Sequence, residues 1–562
     1  MTPWAQPIAP VHSVGLSALV ATIPLLTVLG LLGIARKSGL VAAGSGLLAC
    51  AILAGAVWRM PLDLAGWSIV FGFATAAWSI LWLVFNALWL YNLSVRAGSF
   101  DRLRQWIELR ASGDPCVQAV LVAFCFGALL EGSAGFGAPV AITAFLLVGV
   151  GFQPKMAVLV SLLANTAPVA FGSVGVPIVA LSSVTGLDVM RLGAEVGRQL
   201  PLLSVLLPAY LALVVGGRRG LRRTWPAVVV AGVSFAATQF FVSNYWGPYA
   251  TDVLSALVSI VATTTLLRVW APAPLVMADA MIRGQTPRAQ PEGSDPFAQR
   301  GQSPSGSDPY SAPEPRPPLS LREVIHGMLP WLVLSIVVVV WTHFEVFKKG
   351  QIPMPIPSLH NGVVISLYQK PYAAVFNFQP FATGTAVLVT TLISALLLRV
   401  RPALLVETGA ETLRQLRVPS IVVFFIVGMA FLFNYSGMVY TLGAALAGTG
   451  VFFPLVSSFL GWVACFLTGS DTSSNFLFGN LQVAAAQQLN LNPVLLAATN
   501  SSGAVAGKMI SPQNIAIGVS TVGLVGKEGE VLRSTFWHSV LFATFIGAVA
   551  LVQAYLLPWT VP

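Results

Sequence analysis

The stretch "LLEGSAGFGAPVAITAF", residues 129–145, places one acidic residue, Glu131, among small and apolar side chains. Glu131 is the only charged residue between Cys116 and Pro154. An uncharged apolar run of this length is typical of a membrane-embedded segment, where a charged side chain costs about 2.5 kcal/mol or more. Because such residues usually face a cavity or a partner, the stretch predicts a membrane protein with a functional acid.

The composition supports the same class. The chain has 562 residues, of which 56% are hydrophobic and 9% are charged, and its mean hydropathy is +0.80. A soluble domain carries about 25% charged residues. Uncharged runs such as 39–58 and 200–217 are long enough to cross a bilayer once, and 419–470 is long enough to cross twice. We therefore expect an all-α polytopic membrane protein with about 12 to 14 membrane elements.

The net charge of +10 does not indicate a nucleic-acid partner, because the basic residues lie in short loops between apolar runs. If the N-terminus is outside, 22 of the 30 Lys and Arg residues fall on the inside and four on the outside. This asymmetry is the positive-inside pattern. It predicts a multi-pass protein with both termini on the periplasmic side.

A Pro-, Ser- and Gly-rich segment, 271–318, divides the chain into two hydrophobic halves, 1–270 and 319–562. Its composition is typical of a flexible linker, and the charge pattern places it in the cytoplasm. A second polar insertion, 345–380, is expected to form an external loop or hairpin.

Each half contains one unusual segment, 116–187 in the first and 461–517 in the second, which we call the special segments. Three apolar runs precede each special segment, starting from outside in the first half and from inside in the second. The special segments then enter the membrane from opposite faces, as in an inverted-topology repeat with broken or re-entrant helices. The linker and the two segments together define the expected domain organisation.

The special segments also share local features. Each has a lone acid, Glu131 or Asp471, with a proline 22 or 23 residues later. Each continues into a small, amide-bearing stretch, "ANTAPVAFGSVGVP" from Ala164 and "TNSSGAVAGKMISPQN" from Thr499. The stretches at 165–168 and 500–503 look like poor continuous helices. Broken helices at membrane depth line cavities or are buried in protein, and their exposed N–H groups suit a small carboxylate.

The charged residues of the special segments suggest how an anion and a proton could be bound. Lys508 could supply a counter-charge to an anionic substrate. A carboxyl group in low dielectric can exchange its proton near neutral pH, so Glu131 or Asp471 could carry a co-transported proton. That proton would offset the ~2.3 kcal/mol per 100 mV that opposes inward movement of an anion. Two structural alternatives remain: a buried Asp471–Lys508 pair, and small residues that only permit close helix packing. Lys155 is expected to snorkel at the interface.

Enzyme signatures are missing from the sequence. It has no HExxH, Walker A or CxxC motif, and its five histidines lie near termini, span ends or loops, away from Ser133. The four cysteines lack metal-ligand spacing. We expect no enzymatic activity, no metal and no cofactor.

Two long stretches carry a family resemblance. They are "FCFGALLEGSAGFGAPVAITAFLLVGVGFQPKMAVLVSLLANTAPVAFGSVGVPI" (124–178) and "GSDTSSNFLFGNLQVAAAQQLNLNPVLLAATNSSGAVAGKMISPQNIAIG" (469–518). Both closely resemble the bacterial L-lactate permease family, as do 196–201, 224–240 and the tail. The resemblance implies an inner-membrane symporter that takes up L-lactate with a proton, with D-lactate and glycolate as related substrates. It also implies inverted repeats and re-entrant hairpins.

The resemblance, together with residue type, assigns the candidate site. Glu131 and Asp471 are the candidate proton-coupling residues. The candidate substrate-binding residues are Ser133, Asn165, Thr166, Thr472, Ser473, Asn475, Asn500, Ser501, Ser502 and Lys508. The expected partners are lactate, protons and the lipid bilayer, without nucleic acid. Three other functions stay open at this point. The chain could be a symporter of another organic anion that is driven by sodium or protons. It could also be a channel or an intramembrane enzyme.

Overall fold

The computed structural model describes residues 3–33, 35, 37–110, 114–133, 135, 137–272, 320–366 and 370–562. The predicted linker at 271–318 lies outside the described residues except for 271 and 272. The described chain is predominantly helical with little sheet, which confirms the all-α class.

The helices before the linker run from near the N-terminus to Val269. They are α1 Val14–Ala21, α2 Ile23–Gly33, α3 Gly39–Ala56, α4 Leu62–Thr75, α5 Trp82–Arg96, α6 Ser99–Arg110, α7 Pro115–Gln118, α8 Gly127–Ser133, α9 Ala138–Gly149, α10 Pro154–Ala164, α11 Gly172–Thr185, α12 Val189–Tyr245 and α13 Thr251–Val269. Two π-helical stretches, Ala76–Leu81 and Ala119–Phe126, join α4 to α5 and α7 to α8.

The helices after the linker run from Leu321 to Tyr555. They are α14 Leu321–His343, α15 Thr383–Leu397, α16 Pro402–Tyr435, α17 Met438–Leu446, α18 Phe453–Thr468, α19 Asp471–Gln488, α20 Pro493–Lys508, α21 Pro512–Thr521 and α22 Glu528–Tyr555. Short 3₁₀ turns lie at Val169–Phe171, Val346–Lys348, Ala447–Phe452 and Pro558–Thr560.

Length and hydropathy identify the membrane spans. Within the described residues, ten helical stretches are long and apolar enough to cross a membrane, or eleven if the bent pair α10–α11 counts as one span. Two shorter apolar helices, α9 and α15, add to them. The 57-residue α12 is more than twice as long as the ~20 residues that one crossing needs, and it is interrupted at Gly217, where φ is 60°. These features confirm a polytopic membrane protein.

Five short strands lie near the second polar insertion. They are β1 Trp4–Ala5, β2 Ile352–Pro355, β3 Val363–Ile365, β4 Lys370–Pro371 and β5 Val375–Phe378. β2 pairs antiparallel with β5, and β3 pairs antiparallel with β4. β1 pairs parallel with β3, so the N-terminal segment lies on the same face of the protein as this insertion.

The two special segments have the same order of helices and breaks. In the first, α8 ends at Ser133, α9 and α10 follow, and a 65° bend separates α10 from α11. In the second, α18 ends at Thr468, α19 and α20 follow, and α21 begins after a short break. Pro154 and Pro493 each occupy the first position of a helix, where a proline loses no hydrogen bond. The inverted relation of the halves stays a prediction.

One predicted break is wrong. Residues 500–503 lie inside α20, which is continuous from Pro493 to Lys508. Gly503 and Gly507 let α20 approach α18 closely, because a Cβ at either position would overlap the backbone of Ser458 or Trp462. The side chains of Asn500 and Ser501 bond to α19 instead of their own backbone. The helix ends after Lys508 rather than before it.

The special segments form the centre of the molecule. The Pro115–Ser133 stretch is 100% buried, whereas the other spans are 28–50% buried. Every residue of α20 from Val494 to Lys508 is buried as well. The remaining helices carry exposed large apolar side chains, including Leu19, Leu48 and Leu396, and form a shell suited to lipid. The polar residues of the special segments are therefore kept away from the bilayer.

Candidate functional site

Three helix ends meet around Glu131. Lys508 Nζ lies 2.6 Å from Glu131 Oε1, and Asn165 Nδ2 donates a hydrogen bond of 2.9 Å to Glu131 Oε2. All three side chains are buried, with at most 6% of each residue exposed. Lys508 is the last residue of α20, where the helix dipole favours a cation. The alternative pairing of Lys508 with Asp471 is not observed.

The backbone beside this pair is unusual. Ser173, Val174 and Gly175 at the start of α11 have φ values of 47°, 59° and 78°, a left-handed conformation that is strained for a β-branched residue. A Cβ on Gly172 would lie 2.7 Å from Glu131 Oε1, so glycine at that position lets the backbone approach the carboxyl group. Strained turns of this kind cluster at functional sites. Ser173 is not among the site residues predicted from the sequence.

Asp471 has different surroundings. Ser501 Oγ donates to Asp471 Oδ2 over 2.7 Å, and Asn475 Nδ2 donates to Ser501 Oγ over 3.1 Å. Asn500 Nδ2 donates to Asn475 Oδ1 over 3.0 Å, and Gln482 Nε2 donates to Asn500 Oδ1 over 3.1 Å. These hydroxyl and amide groups are uncharged. The network joins α19 to α20.

The other predicted site residues differ in their contacts. Thr166 and Ser502 are buried, and their hydroxyl groups have no hydrogen-bond partner in the described part of the chain. The Ser133 hydroxyl donates to the Leu129 carbonyl of its own helix over 2.7 Å. Thr472 and Ser473 lie half-buried in the first turn of α19. No hydrogen bond among the described residues connects these last three side chains to the Glu131–Lys508 pair.

Lys155 behaves as an interface residue. Its side chain is 49% exposed, and Nζ lies 3.5 Å from Glu530 Oε2, which is 57% exposed. An exposed pair of this kind contributes little to stability. The sequence-based expectation of a solvent-reaching lysine is consistent with this position.

Two buried acids, Asp252 and Glu195, are not among the site residues predicted from the sequence. Asp252, in the first turn of α13, is 1% exposed and packs against Gly132, where a Cβ would lie 2.7 Å from Asp252 Cβ. Glu195 in α12 is fully buried and accepts a hydrogen bond from Gln199. An acid in the first turn of a helix is ordinary, and Glu195 lies among arginines along the chain. Neither sequence context therefore signals burial.

A cavity of about 410 Å³ lies on the face that carries the short strands. Its lining includes Trp78, Ser182, Tyr249, Tyr372 and Asn434. Burial raises the pKa of the Tyr249 and Tyr372 phenols, so both keep their protons and can donate hydrogen bonds. The cavity borders α11, the helix that begins at the strained turn beside the ion pair.

In the described ranges, no group of three or more His, Cys, Asp or Glu side chains could hold a metal. The cysteine thiols at 50, 116, 125 and 465 are each buried and unbridged. The groups bonded to the Glu131 carboxylate are one amide and one ammonium, and both also bind small organic anions.

A sequence model of the L-lactate permease family matches residues 17–557. The chain belongs to the L-lactate permease family. Among the relatives of this permease, glycolate permease GlcA of Escherichia coli (strain K12) is 44% identical over 570 residues, covering 99% of each chain. L-lactate permease of Salmonella typhimurium (strain LT2) is 40% identical over 576 residues, covering 100% of each chain.

A more distant relative of the permease is L-lactate permease of Bacillus subtilis (strain 168), which is 37% identical over 582 residues and covered completely. Among solved structures, the chain is similar to MtrF of Neisseria gonorrhoeae with a TM-score of 0.48 and 12% identity, covering 95% of this chain and 98% of that one. Family membership makes this permease a multi-pass membrane transporter of a small molecule rather than an enzyme.

Proposed function

We propose that this permease takes up L-lactate and related short 2-hydroxy monocarboxylates, including D-lactate and glycolate, together with a proton across the bacterial inner membrane. The names of its relatives, L-lactate permease and glycolate permease, support this substrate class. The buried Glu131–Lys508 ion pair is the observation that carries the proposal. It supplies one exchangeable proton site and one cation for a carboxylate.

Charge balance is the reason for coupling. The ion pair is neutral when the site is empty. Protonation of Glu131 releases Lys508, which can then bind the carboxylate of the substrate, and the loaded site is neutral again. With only the proton or only the anion bound, the site carries an unpaired buried charge, which costs several kcal/mol. The half-loaded protein is therefore rare, and proton and anion move together.

Asn165 suits both forms of Glu131. Its amide N–H donates to the ionised carboxylate in the empty site. After protonation, rotation of the amide presents its carbonyl oxygen as an acceptor for the new O–H group. The side chain can thus stabilise the acid before and after the proton arrives.

The network around Asp471 has a supporting role in this proposal. It ties α19 to α20 through Asn475, Asn500 and Ser501, and thereby positions Lys508 at the end of α20. Thr166 and Ser502, whose buried hydroxyls have no described partner, are candidates for further hydrogen bonds to the substrate. Ser133, Thr472 and Ser473 stay predictions.

The proposed topology places both termini and the 345–380 insertion on the periplasmic side. The pairing of β1 with β3 supports a common face for the N-terminus and this insertion. We assign the 410 Å³ cavity on that face as the periplasmic access route to the site. Its hydrogen-bonding Tyr and Asn side chains suit a hydrated anion.

Uptake by purified protein in proteoliposomes tests the function. Labelled L-lactate is added with an imposed pH gradient, alkaline inside, in sodium-free buffer. We expect accumulation above the external concentration, abolished by a protonophore and unchanged by sodium. Dependence on a sodium gradient would identify the alternative symporter, and downhill flux without accumulation would identify a channel. Empty liposomes serve as the control.

A further inference from the structure

Asp252 lies at the centre of the molecule beside the proposed site. Its Cβ packs against Gly132, the residue that follows Glu131, and Asp252 lies within electrostatic range of both Glu131 and Lys508. Only 1% of the residue is exposed. The three helices α8, α13 and α20 therefore bring two acids and one base to the same buried region.

The hydrogen-bonding capacity of Asp252 is unused. Neither Oδ1 nor Oδ2 has a hydrogen-bond partner in the described part of the chain. By contrast, both oxygens of Glu131 have partners, in Lys508 and Asn165. Buried polar groups without partners are rare and costly. An acid with two free oxygens beside a substrate site can be satisfied by a donor on the substrate.

A 2-hydroxy acid supplies that donor. Its carboxylate fits Lys508, and its hydroxyl group, one carbon away, needs an acceptor close to the same place. A carboxyl group keeps acceptor lone pairs whether ionised or protonated. We propose that Asp252 accepts a hydrogen bond from the 2-hydroxyl group of the substrate while Lys508 binds the carboxylate. The inference rests on the proposed function and adds the residue that selects 2-hydroxy acids.

Other oxygens nearby are less suited to this role. Glu131 Oε1 and Oε2 are occupied in the empty site, and the proposed mechanism uses that carboxyl group for the proton. Asp471 has one free oxygen, Oδ1, while Oδ2 accepts from Ser501. The Ser133 hydroxyl donates to its own helix. Asp252 is the acid of this region with both oxygens available.

Competition measurements with full-length protein in proteoliposomes test the assignment. Unlabelled L-lactate and propionate, which has the same skeleton without the hydroxyl group, compete against counterflow of labelled L-lactate. In the wild type we expect propionate to compete about tenfold more weakly or worse, because it leaves Asp252 without a donor. Asp252→Ala should weaken competition by L-lactate about tenfold, leave propionate unchanged, and bring the ratio close to one.

Two further variants make the test decisive. Asp252→Leu keeps the branched shape of the side chain without an acceptor. It replaces Asp252→Ala if the space left by alanine destabilises the protein, and it should lose the same discrimination between L-lactate and propionate. Glu195→Ala removes a fully buried acid that has no role in the proposed site, so it is the matched control and should retain the wild-type ratio. Equal competition by propionate and L-lactate in the wild type would overturn the inference, as would an unchanged ratio in both Asp252 variants or a ratio lost only in Glu195→Ala. Failure of the proposed function is detected by a different result, namely the absence of pH-driven lactate accumulation by the wild type.

Discussion

The two special segments each present one buried acid beside a helix end, and they satisfy it differently. Glu131 lies in the last turn of α8, where the helix dipole is unfavourable for a carboxylate, and it pairs with Lys508. Asp471 begins α19, where the dipole favours a negative charge, and a serine hydroxyl is its donor. An acid at a helix C-terminus needs a cation, whereas an acid at an N-terminus does not. Only the first can exchange its cation with a substrate.

Of the variants that test this difference between Glu131 and Asp471, Glu131→Gln should have the largest effect on transport. Glutamine mimics the protonated acid and cannot release a proton, so Lys508 stays available to a carboxylate. We expect pH-driven accumulation of L-lactate to fall to the level of empty liposomes while counterflow of labelled lactate persists. Accumulation at the wild-type level would remove Glu131 from proton coupling.

Lys508→Met should give the next largest effect. Loss of a charge-assisted hydrogen bond costs about 1.5–3 kcal/mol, so lactate affinity should fall roughly 10- to 150-fold. Removing the cation also leaves Glu131 buried without its partner, which lowers the free energy of unfolding by about 3–5 kcal/mol. Competition assays and thermal unfolding measure the two quantities.

The double variant Glu131→Gln with Lys508→Met separates stability from binding. It removes both charges, so the unfolding temperature should recover toward the wild type while lactate affinity stays low. Unchanged lactate affinity in the single Lys508→Met variant would exclude this lysine from the site.

Asp471→Asn should have a smaller effect, because an amide oxygen can still accept from Ser501. We expect pH-driven accumulation to persist, with lactate affinity reduced less than about tenfold. Loss of accumulation with intact counterflow would instead assign proton coupling to Asp471. The functional difference between the two special segments would then disappear. The transport assays are those used for Glu131→Gln.

Lys155→Met should have the smallest effect. The residue follows the first special segment's lone acid in sequence, but it is half-exposed and pairs with an exposed Glu530. Such a pair contributes about 0–1 kcal/mol. Uptake rate, affinity and unfolding temperature should match the wild type within error. A large loss of uptake would place this lysine on the transport route.

Much of the candidate site could be predicted from local sequence. Glu131, Asn165 and Lys508 were selected because charged and amide residues are conspicuous in apolar runs, and these three meet in the structure. The position of the second break was wrong, because glycine and serine in 500–503 also fit a helix packed closely against α18. The domain boundaries and the inverted relation of the halves remain predictions.

The sequence by itself determined the membrane class, the helical architecture and the two segments that hold the polar residues, because hydropathy and lone charges are local properties of the chain. Tertiary structure alone decided that Lys508 meets Glu131 rather than Asp471, because the two paired residues are 377 positions apart in the sequence. It also decided that Asp252 is buried, since an acid in the first turn of a helix is exposed or buried according to what packs against it. Pairing and burial depend on distant helices, and no local pattern encodes them.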